Sequence, residues 1–427
     1  MTNENINSSF KELGIIEPIL KSIEDQHFDE PTEIQEKAIP LILGNKDVIG
    51  SSKTGSGKTL IFGCRIIQKS ERGKGIQALI LVPTRELAQQ VTKSLISFSK
   101  YKELNIITVY GGVSINPQID QLRNTDIVIG TPGRILDHLS RHTINFSRVN
   151  TLVLDEADMM LDMGFLPDVE RIIKQIPKKR QTLLFSATIS TDIKYITKKY
   201  MQAPTTISAE EYVDPSKLEQ VYYNVPNNQK FSLLVHLLKE EEEGQVMIFC
   251  NTRENTEFVS KNLKLNGINS AAIHGGLNQN KRETVLQDFH KGKLFILLCT
   301  DVASRGLDIK GVSHVYNYDT CKDPKQYIHR IGRTARAGKN GKAITILAER
   351  DYDNFYRVMN LRNIKIQKLS LPVVKRAKID FKSAGRSKNS DRTGFYSARK
   401  NPSTSRSRMS GSRNWNSPSR TRHQDRH

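Results

Sequence analysis

Two stretches of this chain have the residue types and spacing to handle phosphate. In DVIGSSKTGSGKT, residues 47–59, an apolar run enters a glycine turn and leaves as Lys58-Thr59 at the head of a second apolar run, LIFGCRII. Gly55 and Gly57 let the backbone N–H groups of the loop Thr54-Gly55-Ser56-Gly57 converge on an anion. Lys58 adds a point charge for the outer phosphates, and the Thr59 hydroxyl suits Mg²⁺. The general pattern has one more glycine, where this chain has Ser52. In TLVLDEADMM, residues 151–160, four mostly apolar residues run against Asp155, Glu156 and Asp158. Carboxylates at the end of a buried strand are costly unless something positive meets them. A phosphate loop calls for an adjacent strand that ends in an acid to hold the metal. Asp155 is therefore expected to bind Mg²⁺ through water, and Glu156 to orient or deprotonate an attacking water. Taken singly, the first stretch also reads as a flexible Gly-Ser turn and the second as an acid cluster capping a helix. Together they favour nucleotide chemistry.

Residues so placed need strands to hold them. Short apolar runs recur at 47–50, 78–83, 106–110, 126–130, 151–155 and 182–186, and again at 246–250, 270–274, 295–299, 314–318 and 343–347. Strands alternating with helical stretches at this spacing imply parallel sheets covered by helices on both faces. Between the series, APTTISAEEYVDPSK (203–217) is rich in turn formers. The expected organisation is a first α/β domain over 1–207, a linker over 208–217, a second α/β domain over 218–368 and a tail over 369–427.

The chain has 427 residues, 37% of them hydrophobic, and a net charge of +20. From residue 371 onward there are 15 Lys/Arg against 3 Asp/Glu, so 12 of the 20 surplus charges sit in that segment. It is rich in Ser, Arg and Asn and has too little apolar surface to fold alone, so it is expected to be disordered. Its charge implies a polyanionic partner, and nucleic acid fits better than membrane because no amphipathic helix accompanies it. Phe395, Tyr396 and Trp415 are isolated aromatics suited to stacking on bases. The cysteines, Cys64, Cys250, Cys299 and Cys321, form no C-x-x-C pair, which argues against zinc or a disulfide framework. No apolar run approaches the roughly 18 residues of a membrane span. A cytoplasmic protein is expected.

Asp155-Glu156-Ala157-Asp158 spells the signature of the DEAD-box ATP-dependent RNA helicases, and the chain resembles that family from about Phe10 to about residue 365. Roughly a dozen of the family's motifs occur in its order. The resemblance implies two RecA-like domains that close on ATP and RNA together. HFDEPTEIQ, 27–35, is similar to the adenine-reading Q motif. It implies Gln35 on the adenine edge and Phe28 as a stacking partner, with Phe10 as the family's isolated upstream aromatic; His27 stands where the family usually has Gly. In HRIGRTARAG, 329–338, the resemblance makes Arg333 and Arg336 arginine fingers reaching the γ-phosphate and puts His329 at the closing interface near Asp158. Asp308 in SRGLDI matches the ribose contact. PTRELA (83–88), GG (111–112) and TPGR (131–134) match first-domain RNA segments, which implies backbone contacts from Thr84, Arg85, Gly112, Thr131 and Arg134. In the second domain the matching residues are Thr252 and Arg253 in NTR, Gln279 with Arg282, and Thr300. SAT, 186–188, resembles the coupling motif, with Ser186 and Thr188 linking ATP to duplex opening. Asp158 should find its counterpart in SAT or on the other domain, and only when the cleft closes.

The implied activity is RNA-stimulated ATP hydrolysis, with Mg²⁺, driving local, sequence-independent unwinding by a monomer. The tail is a candidate contact for ribonucleoprotein partners. The rivals are an ATP-gated RNA clamp, an RNA-annealing protein driven by the tail and a DNA helicase.

Overall fold

Along β2 (Ala78–Leu81), Ala78 and Ile80 enter one buried cluster while Leu79 and Leu81 enter another, so a four-residue strand serves two cores. That is the period-2 alternation of a strand buried on both faces. It repeats through β1 (Val48–Ser51), β4 (Ile127–Gly130), β5 (Thr151–Leu154) and β6 (Gln181–Ser186). With β3 (Ile106–Val109) and β7 (Thr205–Ser208) they form a seven-stranded sheet in the order β3-β4-β2-β5-β6-β1-β7, every pairing parallel. The computed structural model describes residues 9–51, 57–208, 217–240, 244–304, 307, 309, 312–335, 340–361 and 364–381.

The second sheet repeats the first strand for strand. It contains β8 (Leu218–Asn224), β9 (Gln245–Phe249), β10 (Ser270–Ile273), β11 (Ile296–Cys299), β12 (Val312–Asn317), β13 (Gly341–Leu347) and β14 (Gln367–Leu369). Their order is β10-β11-β9-β12-β13-β8-β14, again all parallel. Each strand therefore has a counterpart seven places away in the numbering.

Three strands were not visible as apolar runs. β7 lies inside the turn-rich stretch 203–217, where it pairs with β1 from Val48↔Thr205 to Ser51↔Ser208. β8 is partly buried and β14 mostly exposed, and neither carries a continuous apolar signal. The chain also stays against the second lobe beyond β14. Val374, Ala377 and Ile379 pack on its core, and the Asn262 and Asn266 side chains bracket the backbone of Asp380 and Lys378 with two hydrogen bonds each, of 2.6–3.5 Å. This docked strap, which ends at Phe381, falls within the segment expected to be disordered and corrects that expectation for residues 369–381. The residues after Phe381, including Phe395, Tyr396 and Trp415, lie outside the described residues. Among the described residues no helix is long and apolar enough to cross a membrane.

Candidate functional site

The candidate residues gather where both sheets present the carboxyl ends of their strands, the position where open parallel sheets hold ligands. β1 leads to Gly57, whose φ of +82° is left-handed, and then to the helix Lys58–Lys69, with Lys58 as its first residue. Gln35 sits behind this turn. Its Oε1 accepts from the Thr32 backbone N–H at 2.9 Å, and its Nε2 donates to the Gly57 carbonyl at 3.2 Å. A β-carbon at 57 would collide with that amide, so glycine is required there on two counts. The residue expected to read adenine thus ties its own helix to the phosphate turn. Thr54, Gly55 and Ser56 lie outside the described residues. Phe28 is 38% exposed, its ring 6.2 Å from that of Phe98, which leaves a face for stacking. Phe10 is 1% exposed within the first lobe's core, so its ring braces the region from behind and is not available to a nucleotide.

The acid-ended strand, expected beside the phosphate-loop strand, is not its neighbour in the sheet. β6 lies between β1 and β5, so Ser186, the last residue of β6, falls between Lys58 and Asp155 in the order of strands. The coupling segment is thereby interposed between phosphate and acid, a placement that only the crossover topology determines. Burial pushes the Asp155 carboxyl up to about 6, with Glu156 and Asp158 adding to the rise and Lys58 opposing it. Its Oδ1 accepts the Glu156 backbone N–H at 3.0 Å. Glu156 itself takes φ +48°, ψ +48°, a left-handed conformation costly for a residue with a β-carbon. Asp158 needs no domain closure. Its Oδ2 accepts from the Thr188 backbone N–H (2.9 Å) and hydroxyl (3.1 Å), both within the first lobe, while Ser186 Oγ donates to the Thr188 carbonyl at 2.7 Å. The expectation that closure completes Asp158 is corrected by these bonds.

On the other side of the strand ends, a cavity of about 460 Å³ is lined from both lobes, by Thr84, Arg85, Thr131 and Arg134 from the first and by Gln279 and Arg282 from the second. Gly112 has φ +81°, and a β-carbon there would strike the Arg85 guanidinium. Arg134 Nη2 donates to the Val113 carbonyl at 2.9 Å, while its Nη1 is buried without a hydrogen-bond partner. Thr84 and Thr252 cap equivalent helices with the same backbone angles (φ −128°, ψ +158°). Arg253 lies against Gly275, where a β-carbon would stand 3.5 Å from Nη2, as Arg85 lies against Gly112. The Thr300 carbonyl accepts from Ala303 and Ser304 at the start of its helix.

Sequence reading missed Glu86. Its Oε1 receives Arg282 Nε at 2.7 Å and Gln279 Nε2 at 3.5 Å, so two residues expected to touch RNA also join the lobes. Glu86 is visible inside PTRELA, but nothing local announces a partner 196 residues away. Arg333 is 6% exposed, and its Nη1 donates to the Leu307 carbonyl at 2.7 Å. His329 lies half-buried on the helix Pro324–Ile331. Asp308 and Arg336 lie outside the described residues.

Tandem parallel sheets with a phosphate turn, an acid-ended strand and a basic cleft define a RecA-like nucleoside-triphosphatase that acts on nucleic acid. Residues 32–196 match the DEAD/DEAH box helicase family and residues 229–338 the helicase conserved C-terminal domain. The chain is 45% identical over 368 residues to the ATP-dependent RNA helicase CshA of Listeria monocytogenes, covering 86% of this chain and 71% of that protein. It is 42% identical to the DEAD-box ATP-dependent RNA helicase CshA of Geobacillus kaustophilus, covering 87% of this chain and 80% of that one. Its structure is similar to that of S. cerevisiae Dbp5 bound to RNA and ADP BeF3, with a TM-score of 0.77 and 31% identity over 85% of this chain and 95% of that one. A DEAD box protein from Methanococcus jannaschii is 43% identical, with a TM-score of 0.51 over 84% of this chain and 99% of that one. The chain belongs to the DEAD-box ATP-dependent RNA helicases.

Proposed function

We propose that the chain uses ATP hydrolysis for local, largely sequence-independent separation or remodelling of RNA duplexes and RNA–protein complexes. The observation that carries the reading is the interlobe contact of Glu86 with Arg282 beside the shared cavity, which lets one arrangement of the lobes serve RNA and nucleotide together. The similar structure of S. cerevisiae Dbp5 bound to RNA and ADP BeF3 supports it. Lys58 and the loop Thr54–Gly57 take the phosphates, Gln35 and Phe28 the base, and Asp308 the ribose. Glu156 aligns the water, and Arg333 and Arg336 approach the γ-phosphate. Thr84, Arg85, Gly112, Thr131, Arg134, Thr252, Arg253, Gln279, Arg282 and Thr300 hold the RNA backbone, while Asp158, Ser186, Thr188 and His329 couple the two events. Contacts limited to the backbone carry no base preference.

Asp155 and Thr59 fit Mg²⁺. A buried carboxyl raised by two neighbouring acids gains from a nearby cation. Bound there, the ion would neutralise charge on the phosphates. Two α/β domains joined by a linker, with the second extended through the strap to Phe381 and a tail after it, a monomeric state, a cytoplasmic setting and ribonucleoprotein contacts through the tail complete the reading.

Displacement of one strand of a short RNA duplex in the presence of ATP tests it. RNA-stimulated turnover with no displacement identifies a clamp instead. Activity that survives Glu156→Gln but not deletion of 382–427, which spares the docked strap, identifies an annealing protein. Equal stimulation by DNA removes the RNA preference.

A further inference from the structure

The second lobe contains a buried polar network to which the roles above assign nothing. At its centre is Asp319, just past the end of β12 and 4% exposed. Its Oδ2 accepts from the Asn251 backbone N–H (3.0 Å) and from Asn255 Nδ2 (2.5 Å). Its Oδ1 lies 3.2 Å from Arg350 Nη2 and 3.7 Å from Lys230 Nζ. Its carbonyl accepts from Arg330 Nη1 at 2.6 Å.

Arg330, 1% exposed, spends its other donors on three further residues. Nε and Nη2 pair with the two oxygens of Asp301 at 2.6 and 2.7 Å, Nη2 also reaches Asn251 Oδ1 at 3.0 Å, and Nη1 reaches Asn317 Oδ1 at 3.3 Å. A planar guanidinium with all its edges engaged fixes its acceptors relative to one another. Buried networks so satisfied are rigid.

The segments joined here are the ones with assigned work. Asn251 precedes Thr252 and Arg253, and Asp301 follows Thr300, so two of the three RNA-facing segments of the second lobe are anchored to the network. Arg330 sits on the helix that carries His329 and leads into Arg333. Two of the three RNA-facing segments and the nucleotide-facing arginine thus share one buried support.

We propose that Asp319 is a positioning residue for RNA-stimulated hydrolysis: through Asn251, Asn255 and Arg330 it keeps the RNA-facing turn 251–255 in register with the segment bearing Arg333. Engagement of RNA by the turn is thereby passed to the nucleotide side by one rigid unit. The proposal rests on the reading that Arg253 meets RNA and Arg333 meets ATP. It goes beyond that reading by assigning the link between them.

The test compares Asp319→Ala with Arg350→Ala in the full chain, following ATP hydrolysis across RNA concentrations and thermal unfolding. Lys230 keeps Asp351 at 2.5 Å in Asp319→Ala, so no buried charge loses its last partner. The expected result is a tenfold or greater loss of the RNA-saturated kcat, with the RNA-free rate and the KM for ATP within twofold. Arg350→Ala, which removes only an outer ion pair to the same carboxylate, should leave all three within twofold. RNA stimulation retained within twofold, or an equal fall of RNA-free and RNA-saturated rates, overturns the proposal. If Asp319→Ala does not fold, Asn255→Ala carries the test: threefold or greater loss of stimulation supports the link, and no loss overturns it. Arg253→Ala and Arg333→Ala are measured alongside. Should these leave RNA affinity and hydrolysis unchanged, the underlying reading fails; should they act while Asp319→Ala does not, only the positioning role fails.

Discussion

Lys58 and Lys230 open equivalent helices after equivalent strands, β1 and β8, and the two lobes treat them in opposite ways. Past β5, three acids crowd together and burial holds Asp155 up to about 6 despite Lys58. Past β12 and β13, Asp319 and Asp351 respectively close on Lys230 at 3.7 and 2.5 Å, all three side chains under 8% exposed. The first arrangement holds a buried carboxyl raised among acids, a setting in which a cation would lower the cost. The second is complete in itself and leaves nothing for a ligand to add. One topology, repeated, crowds acids past β5, where the proposed function places the nucleotide, and is sealed with an ion triad at the corresponding lysine of the second lobe.

The sharpest way to break this comparison is to remove each lysine in turn. Lys230→Ala leaves two carboxylates buried against each other, and losing one side of a buried ion pair costs about 3–5 kcal/mol. Urea unfolding should register that loss as a lower midpoint. Lys58→Ala should instead spare stability and lower ATP turnover by about 10²–10³, the range for losing one preorganised electrostatic contact to a reacting centre. If the two variants behave alike, the lobes do not differ in the way described.

Asp155 sharpens the comparison through pH. Its folded pKa of about 6 exceeds the ordinary 3.8, so the folded state takes up its proton more readily than the unfolded chain. Stabilisation from that proton is present below about pH 4 and lost as pH rises through 6. Asp155→Asn should therefore abolish hydrolysis yet make the nucleotide-free protein more stable at pH 7, by about 2–3 kcal/mol at most. The difference in unfolding free energy between wild type and variant, followed from pH 4 to 8, should grow through that window and then level.

The strand ends were legible because a parallel sheet buried on both faces writes continuous apolar runs, and the chemistry follows directly after them. Asp155, Glu156, Lys58, Arg85 and Arg134 were found this way. The sealed triad was not. NNQKFSLL reads as an ordinary helix start, and the partners of Lys230 come 89 and 121 residues later, with no local signature. Asp158 was found, and one of its two expected counterparts, SAT, is where its partner Thr188 lies. The expected need for cleft closure was wrong, because β6 is the neighbour of β5 only through crossover connections that strand patterns do not reveal. The strap to Phe381 was hidden by composition. KRAKID is polar enough to read as unfolded, and it is held through its backbone by two asparagine side chains.

A smaller effect divides the two glycine pairs on the RNA side. Gly112 is left-handed and lies under Arg85, whereas Gly276 has no positive φ and a β-carbon there would stand 3.1 Å from His274 Nδ1. Gly112→Ala should cost about 1–2 kcal/mol from the backbone alone and displace Arg85 as well. Gly276→Ala should cost less, and RNA affinity should fall further in the first variant than in the second.

The smallest expected effect concerns what the lobes share. Thr84 Oγ1 accepts the Leu87 N–H at 3.3 Å and Thr252 Oγ1 the Asn255 N–H at 3.1 Å, each capping the helix that begins with an RNA-facing arginine. Replacing either threonine by alanine should cost about 1 kcal/mol of stability, the usual worth of such a cap. Because the caps have matching geometry, the two costs should agree within about 0.5 kcal/mol, and the double variant should show their sum. The residues differ in setting, however: Thr84 is buried and Thr252 exposed. A larger loss at Thr84 would mean that the first lobe's cap is reinforced by its surroundings, and the repeat would then extend to backbone geometry without extending to energetics.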